Sequence, residues 1–167
     1  MTTITDAGAA ASDLPLHLRV EDLYARYAHT IDDDRLEEWP GLFTENGIYR
    51  VTTRENYDAG LPLALVYCDG RGMMADRISA LRTANIYEPH VYCHVLSAVR
   101  VLSREAGEIR ARSNLSVLRT MQEGDTMLFA VGRTFDRIVE EDGRLLFRER
   151  LIVLDSRRVD TLLVIPI

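Results

Sequence analysis

The chain contains no lysine, because all twenty of its basic residues are arginine. This bias is typical of a GC-rich genome; alternatively, arginine supplies the planar, bidentate carboxylate pairs that suit subunit interfaces. The 26 acidic residues outnumber the basic ones and give a net charge of −6. A nucleic-acid-binding protein would carry a basic stripe instead, so the charge balance argues against that class.

Cysteine is also scarce, with only Cys68 and Cys93 in 167 residues. Two cysteines do not make a disulfide framework in a chain of this size, and the sequence predicts a reducing compartment with both thiols buried. With so few cysteines, no Cys/His set for zinc or an iron–sulfur cluster is recognisable.

No apolar run approaches the ~20 residues that a membrane span requires. The first residues lack the positive charge and apolar core of a signal peptide, and their small polar composition predicts a flexible tail over residues 1–13. The remaining residues, 14–167, are expected to form a single domain, because this length can bury roughly two thirds of the unfolded chain's surface.

The first half of the sequence has helical spacing. A first helix is predicted to start near Asp13 and Pro15, with one buried face that runs from Leu16 to Ile31. Asp34 is expected to cap a second helical segment. A strand over 48–53 and a loop over 55–60 follow, and then Met74, Ile78 and Leu81 mark the buried face of a third helix.

From His90 onward the apolar period changes to two. Four long segments are separated by turn signals at residues 105–107, 123–125 and 140–143. Consecutive long strands joined by tight turns predict an antiparallel meander, with twists or bulges because the strands exceed the usual length. Helices followed by strands indicate an α+β domain whose helices pack on one face of a curved sheet.

Two motifs are misleading. Gly70–Ala75 fits a loose dinucleotide-binding pattern, but antiparallel hairpins rather than a βαβ unit follow it, so nucleotide binding is not expected. His90 and His94 have the spacing of two metal ligands on a helix. On a strand, however, residues four apart lie ~13 Å from each other and cannot share one ion without a sharp bend. No metal site is therefore predicted.

Acid–base catalysis is the more serious chemical hypothesis. Asp32 near the end of the first helix, Tyr49 and His94 could converge in an apolar pocket that shifts their pKa values. The alternatives are that Asp32 belongs to a solvated acidic turn and that His94 is a core histidine with its hydrogen bonds satisfied.

Contact residues for a partner can also be suggested. Arg77 and Arg82 on the third helix either form ion pairs within the chain or meet acidic groups of another subunit. The last seven residues stay apolar, and either dock as a terminal strand on their own sheet or anchor a subunit interface. The candidate interface residues are Trp39, Arg77, Arg82, Ile165, Pro166 and Ile167.

Taken together, several stretches resemble the small (beta) subunit of Rieske-type aromatic-ring-hydroxylating dioxygenases, from about His17 to Ile167. The stretches are YARYAHTIDDDRLEEWPGLFTENGIYRV, MADRISALR with NIYEPH, SNLSVLR, FAVGRTFDRIVEEDGRLLFRERLIVLDS and the closing IPI. Two further segments, RENYDAGLPLAL and DRISALRTANIYE, look most like subunits of salicylate, terephthalate and anthranilate systems.

The resemblance implies a cystatin-like cone of the nuclear-transport-factor kind. It implies a non-catalytic subunit without a cofactor of its own, in the cytoplasm of a bacterium. The partner alpha subunit would hold the Rieske iron–sulfur cluster and a mononuclear iron, and three alpha and three beta subunits would assemble. Ferredoxin and reductase would act through alpha, and neither nucleic acid nor membrane is expected as a partner.

Two hypotheses therefore stand. The first is an assembly subunit of an oxygenase that hydroxylates an aromatic, carboxylated ring. The second is a stand-alone dehydratase or isomerase that uses Asp32, Tyr49 and His94 as acid–base groups.

Overall fold

The computed structural model of the protein describes residues 14–84, 86–156 and 163–167. The predicted flexible tail at residues 1–13 lies outside these described residues. The helices are α1 (Leu16–Asp32), a 3-10 helix (Leu36–Leu42), α2 (Arg54–Asp58) and α3 (Gly70–Thr83). The strands are β1 (Phe43–Thr53), β2 (Val66–Asp69), β3 (His90–Glu105), β4 (Glu108–Met121), β5 (Thr126–Glu141) and β6 (Arg144–Leu154).

The strands form one mixed sheet in the order β2-β1-β6-β5-β4-β3. Strands β3 to β6 pair antiparallel with their chain neighbours, which confirms the predicted meander. Strand β1 pairs parallel with β6 and antiparallel with β2. The expected irregularities are present, since the register shifts within the β3–β4, β4–β5 and β5–β6 pairs. Shifts of this kind bend and twist long strands.

Helix α1 lies across β3, and α3 packs against β1. The predicted apolar face of α1 is confirmed, because Val20, Leu23, Tyr24, Tyr27 and Ile31 are buried. The predicted face of α3 is confirmed as well. The helices thus cover one side of the sheet, and the main core lies between the two layers.

Three details of the sequence prediction were wrong. Asp34 does not cap the 3-10 helix, which has Arg35 at its N-cap without a capping side-chain bond; the Asp34 carboxylate instead accepts hydrogen bonds from Arg82. Residues 55–58 of the predicted loop belong to α2 instead. Cys93 is exposed, because it alternates with the inward-facing residues of β3, whereas Cys68 is buried as expected.

Strand β1 also begins five residues earlier than predicted, at Phe43. Its pairing with β6 shifts register between Phe43 and Ile48. Gly47 lies in this irregular stretch, where a Cβ atom would come within 2.8 Å of the Phe43 Cβ and 3.1 Å of the Phe147 main-chain oxygen. The Asn46-Gly47 pair therefore lies at a bulge inside the strand.

Candidate functional site

Asp32 and His94, two of the three candidate catalytic residues, are in direct contact. Asp32 is the last residue of α1, and its Oδ2 accepts the backbone N–H of His94 at 2.8 Å. Its Oδ1 lies 2.5 Å from His94 Nδ1. Because a carboxylate only accepts, Nδ1 is the donor in this pair. The His94 side chain is completely buried, and the pair ties the end of α1 to β3.

Tyr49, the third candidate, is engaged elsewhere. Its hydroxyl donates to the main-chain oxygen of Ile167 at 3.0 Å and accepts the N–H of the same residue, also at 3.0 Å. The Tyr27 hydroxyl donates to the same oxygen at 2.7 Å. Burial raises the pKa of both phenols, so both remain protonated donors at neutral pH. The structure therefore joins Asp32 with His94 but uses Tyr49 to hold Ile167.

Residues 163–167, here named the closing segment, fill the interior between the helices and the sheet. All five are buried, and four of them belong to the main apolar core. The segment contains no strand residues, so it docks on its own chain without joining the sheet. At its outer end, the Leu163 carbonyl accepts a hydrogen bond from Arg77. The interior between the helices and the sheet is thus occupied by this chain itself.

A buried charged pair, Asp136 and Arg150, was missed by the sequence analysis. Arg150 Nη1 lies 3.1 Å from Asp136 Oδ2, and Tyr24 also donates to that oxygen. The guanidinium lies 3.9 Å from the centre of the Tyr27 ring, a cation–π contact. Burial raises the pKa of Asp136, while the charge of Arg150 opposes that change.

A signal for this pair was present in the alternation of the strands. Asp136 belongs to the uninterrupted inward series of β5, and Arg150 shares its parity with Ile152 and Leu154 in β6. Burial of opposite charges at facing inward positions requires that they pair.

The suggested interface residues take part in contacts within the chain. Trp39 is fully buried and packs edge-on against Tyr49 with the ring centres 4.9 Å apart. Arg82 pairs with Asp34 and Glu37, each at 2.8 Å. Arg77 holds the closing segment, which includes Ile165, Pro166 and Ile167. A role for any of these six residues in binding a second subunit stays a prediction.

Neither sequence motif for a ligand forms a site in the described residues. No group of three or more His, Cys, Asp or Glu side chains lies close enough to hold a metal ion there. His90 contacts the Glu88 carbonyl oxygen through Nδ1 at 2.8 Å, apart from the Asp32–His94 pair. The Gly70–Ala75 stretch starts α3 directly after β2, an edge strand with only antiparallel pairing, and this is not a βαβ unit. No helix of the described chain is long and apolar enough to cross a membrane.

Two apolar surfaces are exposed at opposite edges of the sheet. The outer sheet patch faces away from α1 and consists of the half-buried Leu118 and the exposed Val91, Cys93, Val95, Leu128 and Val131. Its members form rows across three strands, since Cys93 pairs with Leu118 and Leu118 with Leu128. The edge stripe consists of Leu61, Leu63, Leu65 and Tyr67, which alternate along the chain at and before β2 and are 46–60% exposed. Contiguous apolar surfaces of this kind usually mark a partner.

A family model described as "Ring hydroxylating beta subunit" matches residues 26–161. The chain is 42% identical to terephthalate 1,2-dioxygenase terminal oxygenase component subunit beta 2 of Comamonas sp., over 90% of this chain and 97% of that protein. It is 37% identical to the anthranilate 1,2-dioxygenase small subunit of Burkholderia cepacia, over 93% and 96%.

The solved structures agree. A Novosphingobium aromaticivorans protein described as the beta subunit of an aromatic-ring-hydroxylating dioxygenase superposes with a TM-score of 0.83 at 36% identity, over 90% of this chain and 96% of that one. ActVI-ORFA of Streptomyces coelicolor shares the fold alone, with a TM-score of 0.67 at 20% identity, over 84% and 97%. The predicted cone with N-terminal helices on a curved sheet is confirmed.

Proposed function

Because this chain belongs to the family of ring-hydroxylating beta subunits, we propose that it is the non-catalytic assembly subunit of a multicomponent Rieske oxygenase. The observation that carries the proposal is the filled cone interior. The closing segment fills the space between the helices and the sheet, and Tyr49 is committed to Ile167. This arrangement supports a complex in which the partner subunit carries out the catalysis.

The partner would be a catalytic alpha subunit that holds the Rieske cluster and the mononuclear iron and receives electrons through ferredoxin and reductase. The two named relatives belong to dioxygenases of terephthalate and anthranilate, both aromatic carboxylates. We therefore propose an aromatic carboxylate as the substrate of the whole complex, and the bacterial cytoplasm as its location.

The two apolar surfaces support an assembly of several copies. They differ from each other and lie at opposite sheet edges, so the edge stripe of one copy can meet the outer sheet patch of the next. A head-to-tail contact of this type closes into a ring when the rotation allows it. A ring of three beta subunits carrying three alpha subunits is the proposed assembly.

The test is coexpression with a Rieske-type alpha subunit, followed by sizing and an activity screen on aromatic carboxylates. The double variant Val95→Asp with Leu128→Asp places charges in the outer sheet patch and is expected to separate the assembly. Leu102→Asp is the matched control, because Leu102 is 53% exposed on the same strand but outside the patch. If the complex stays assembled in the double variant, the outer sheet patch is not the contact surface.

The Asp32–His94 pair is the one observation that favours a second candidate, a stand-alone dehydratase or isomerase. His94→Gln in the assembled complex separates the two functions. An assembly subunit keeps its turnover per iron when His94 is replaced, even if the complex becomes less stable. Turnover by the isolated chain, lost in His94→Gln, would establish the second function instead.

A further inference from the structure

The closing segment is held by the contacts that a bound ligand would make. One oxygen, that of Ile167, accepts from two buried tyrosine hydroxyls at 2.7 and 3.0 Å. The rest of the segment is apolar: Leu163, Val164, Ile165 and Ile167 are each no more than 8% exposed. This interior therefore binds a linear apolar group that carries an accepting oxygen at its inner end.

Next to the tyrosines of that inner end lies a buried guanidinium, that of Arg150, which is paired with Asp136. The Arg150 guanidinium lies against the Tyr27 ring, and its Nε and Nη2 are buried without a hydrogen-bond partner among the described residues. Buried N–H groups without partners are costly, and an oxygen that reaches them would remove the cost. Asp136 Oδ2 accepts from Arg150 and Tyr24, while its Oδ1 is likewise buried without a hydrogen-bond partner among the described residues.

The outer end of the closing segment is held less extensively. Leu163 is tied to α3 by the hydrogen bond from Arg77, a half-buried side chain. This contact lies at the opposite end of the segment from Tyr27 and Tyr49. A substitution of Arg77 can therefore loosen the segment without removing the groups that hold its inner oxygen.

We propose that the cone interior is a binding site for a linear apolar carboxylate of medium chain length, closed in cis by residues 163–167. The carboxylate replaces the Ile167 oxygen at the hydroxyls of Tyr27 and Tyr49 and approaches Arg150. Its alkyl chain takes the place of the apolar side chains of the closing segment. The closing segment and the ligand compete for the same place. The apparent affinity is therefore the intrinsic affinity multiplied by the fraction of molecules in which the segment is released.

Octanoate is a suitable probe, and the full chain is the protein to use. Arg77→Met weakens the competing segment and is expected to raise the apparent affinity for octanoate at least fivefold. Arg110→Met is the matched control, because Arg110 is a 67% exposed arginine on β4. Its replacement is expected to leave the affinity for octanoate unchanged. Hydrogen exchange at the Ile167 amide, which donates to Tyr49, should accelerate when octanoate binds.

Octylammonium is the matched ligand control. It has the same alkyl length but only donors, so it cannot accept from Tyr27, Tyr49 or Arg150. The net charge of −6 would favour it in non-specific binding, which makes the comparison stringent. Ile165→Ala loosens the segment by a second route and should act in the same direction as Arg77→Met.

The expected result is octanoate binding that increases in both loosened variants, together with faster exchange at Ile167 and no comparable effect of octylammonium. The proposal is overturned if octanoate does not bind either variant, if both ligands bind equally, or if octanoate binds while Ile167 exchange stays unchanged. Failure here leaves the assembly role untouched, since that role is measured by sizing and turnover of the complex.

Discussion

Arg150 donates to the carboxylate of Asp136 across 3.1 Å, and both side chains are completely enclosed by the protein. Removing one member leaves the other charge buried without its partner. We expect Arg150→Met to lower the free energy of unfolding by about 3–5 kcal/mol, as for other broken buried pairs. Urea denaturation measures the change. Arg26→Met, which breaks the exposed pair with Asp22, is the control and should cost less than about 0.5 kcal/mol.

The pH dependence of stability should include a contribution from Glu108. Hydrogen bonds from Arg137 at 2.8 and 3.0 Å lower the pKa of Glu108. Because the folded-state pKa lies below the unfolded value, about 4.3, the stabilisation is present above that pH and is lost as the pH falls through the folded pKa. Glu108→Gln should cost less than about 1 kcal/mol at pH 7, since Arg137 is partly exposed. The difference in unfolding free energy between Glu108→Gln and the native chain should become smaller below about pH 4. Urea titrations at pH 7 and below about pH 4 measure it. An equal difference at the two pH values would contradict the role given to Glu108.

The two tyrosines that bind the Ile167 oxygen, Tyr27 and Tyr49, should contribute unequally to the free energy of unfolding. Tyr49→Phe removes one donor to the Ile167 oxygen and also the acceptor for the Ile167 N–H, and should cost about 1–3 kcal/mol. Tyr27→Phe removes one of two donors and should cost about 0.5–1.5 kcal/mol. The double variant should be non-additive, because both hydroxyls share one oxygen. Thermal unfolding tests this, with the exposed Tyr57→Phe as a control that should not change the midpoint.

Gly132 should tolerate no side chain. A Cβ atom there would lie 2.4 Å from the Val153 oxygen and 3.1 Å from the Leu154 Cα, both in the backbone of the paired strand β6. Gly132→Ala should therefore lower the free energy of unfolding by about 1–3 kcal/mol or more, as overpacking does. Gly41→Ala is the matched control, since nothing lies within 4 Å of its Cβ position. Equal stability of the two variants would show that the β5–β6 pair can shift to make room.

Much of the fold could be predicted because its signals are local. The alternation of β5 identifies Ala130, Thr134 and Ile138 as inward positions, and tight turns join that strand to its neighbours. The helical spacing of Tyr24, Tyr27 and Ile31 likewise needs no information from elsewhere in the chain. Local periodicity therefore predicted the meander and the buried helix faces.

The interior of the cone could not be predicted in this way. The contact between Tyr49 and Ile167 joins residues 118 positions apart, and neither residue carries a local sign of it. Asp136 and Arg150 are charged, and charge alone argues for exposure even where strand parity argues for burial. The acid–base hypothesis groups Tyr49 with Asp32 and His94, because no local pattern indicates that the closing segment hydrogen-bonds to Tyr49 in the interior.

The parallel pairing of β1 with β6 affects the order in which the chain can fold. Phe43 pairs with Phe147 and Thr53 with Leu154, contacts that span roughly a hundred residues, whereas β3 to β6 form adjacent hairpins. On a ribosome, β1 and its near neighbour β2 emerge long before β6, so the edge of β1 that pairs with β6 remains open until β6 has been synthesised. Unpaired strand edges are a source of misassociation during synthesis. The slowest step of folding should therefore be the docking of the early helix–strand half onto the completed meander.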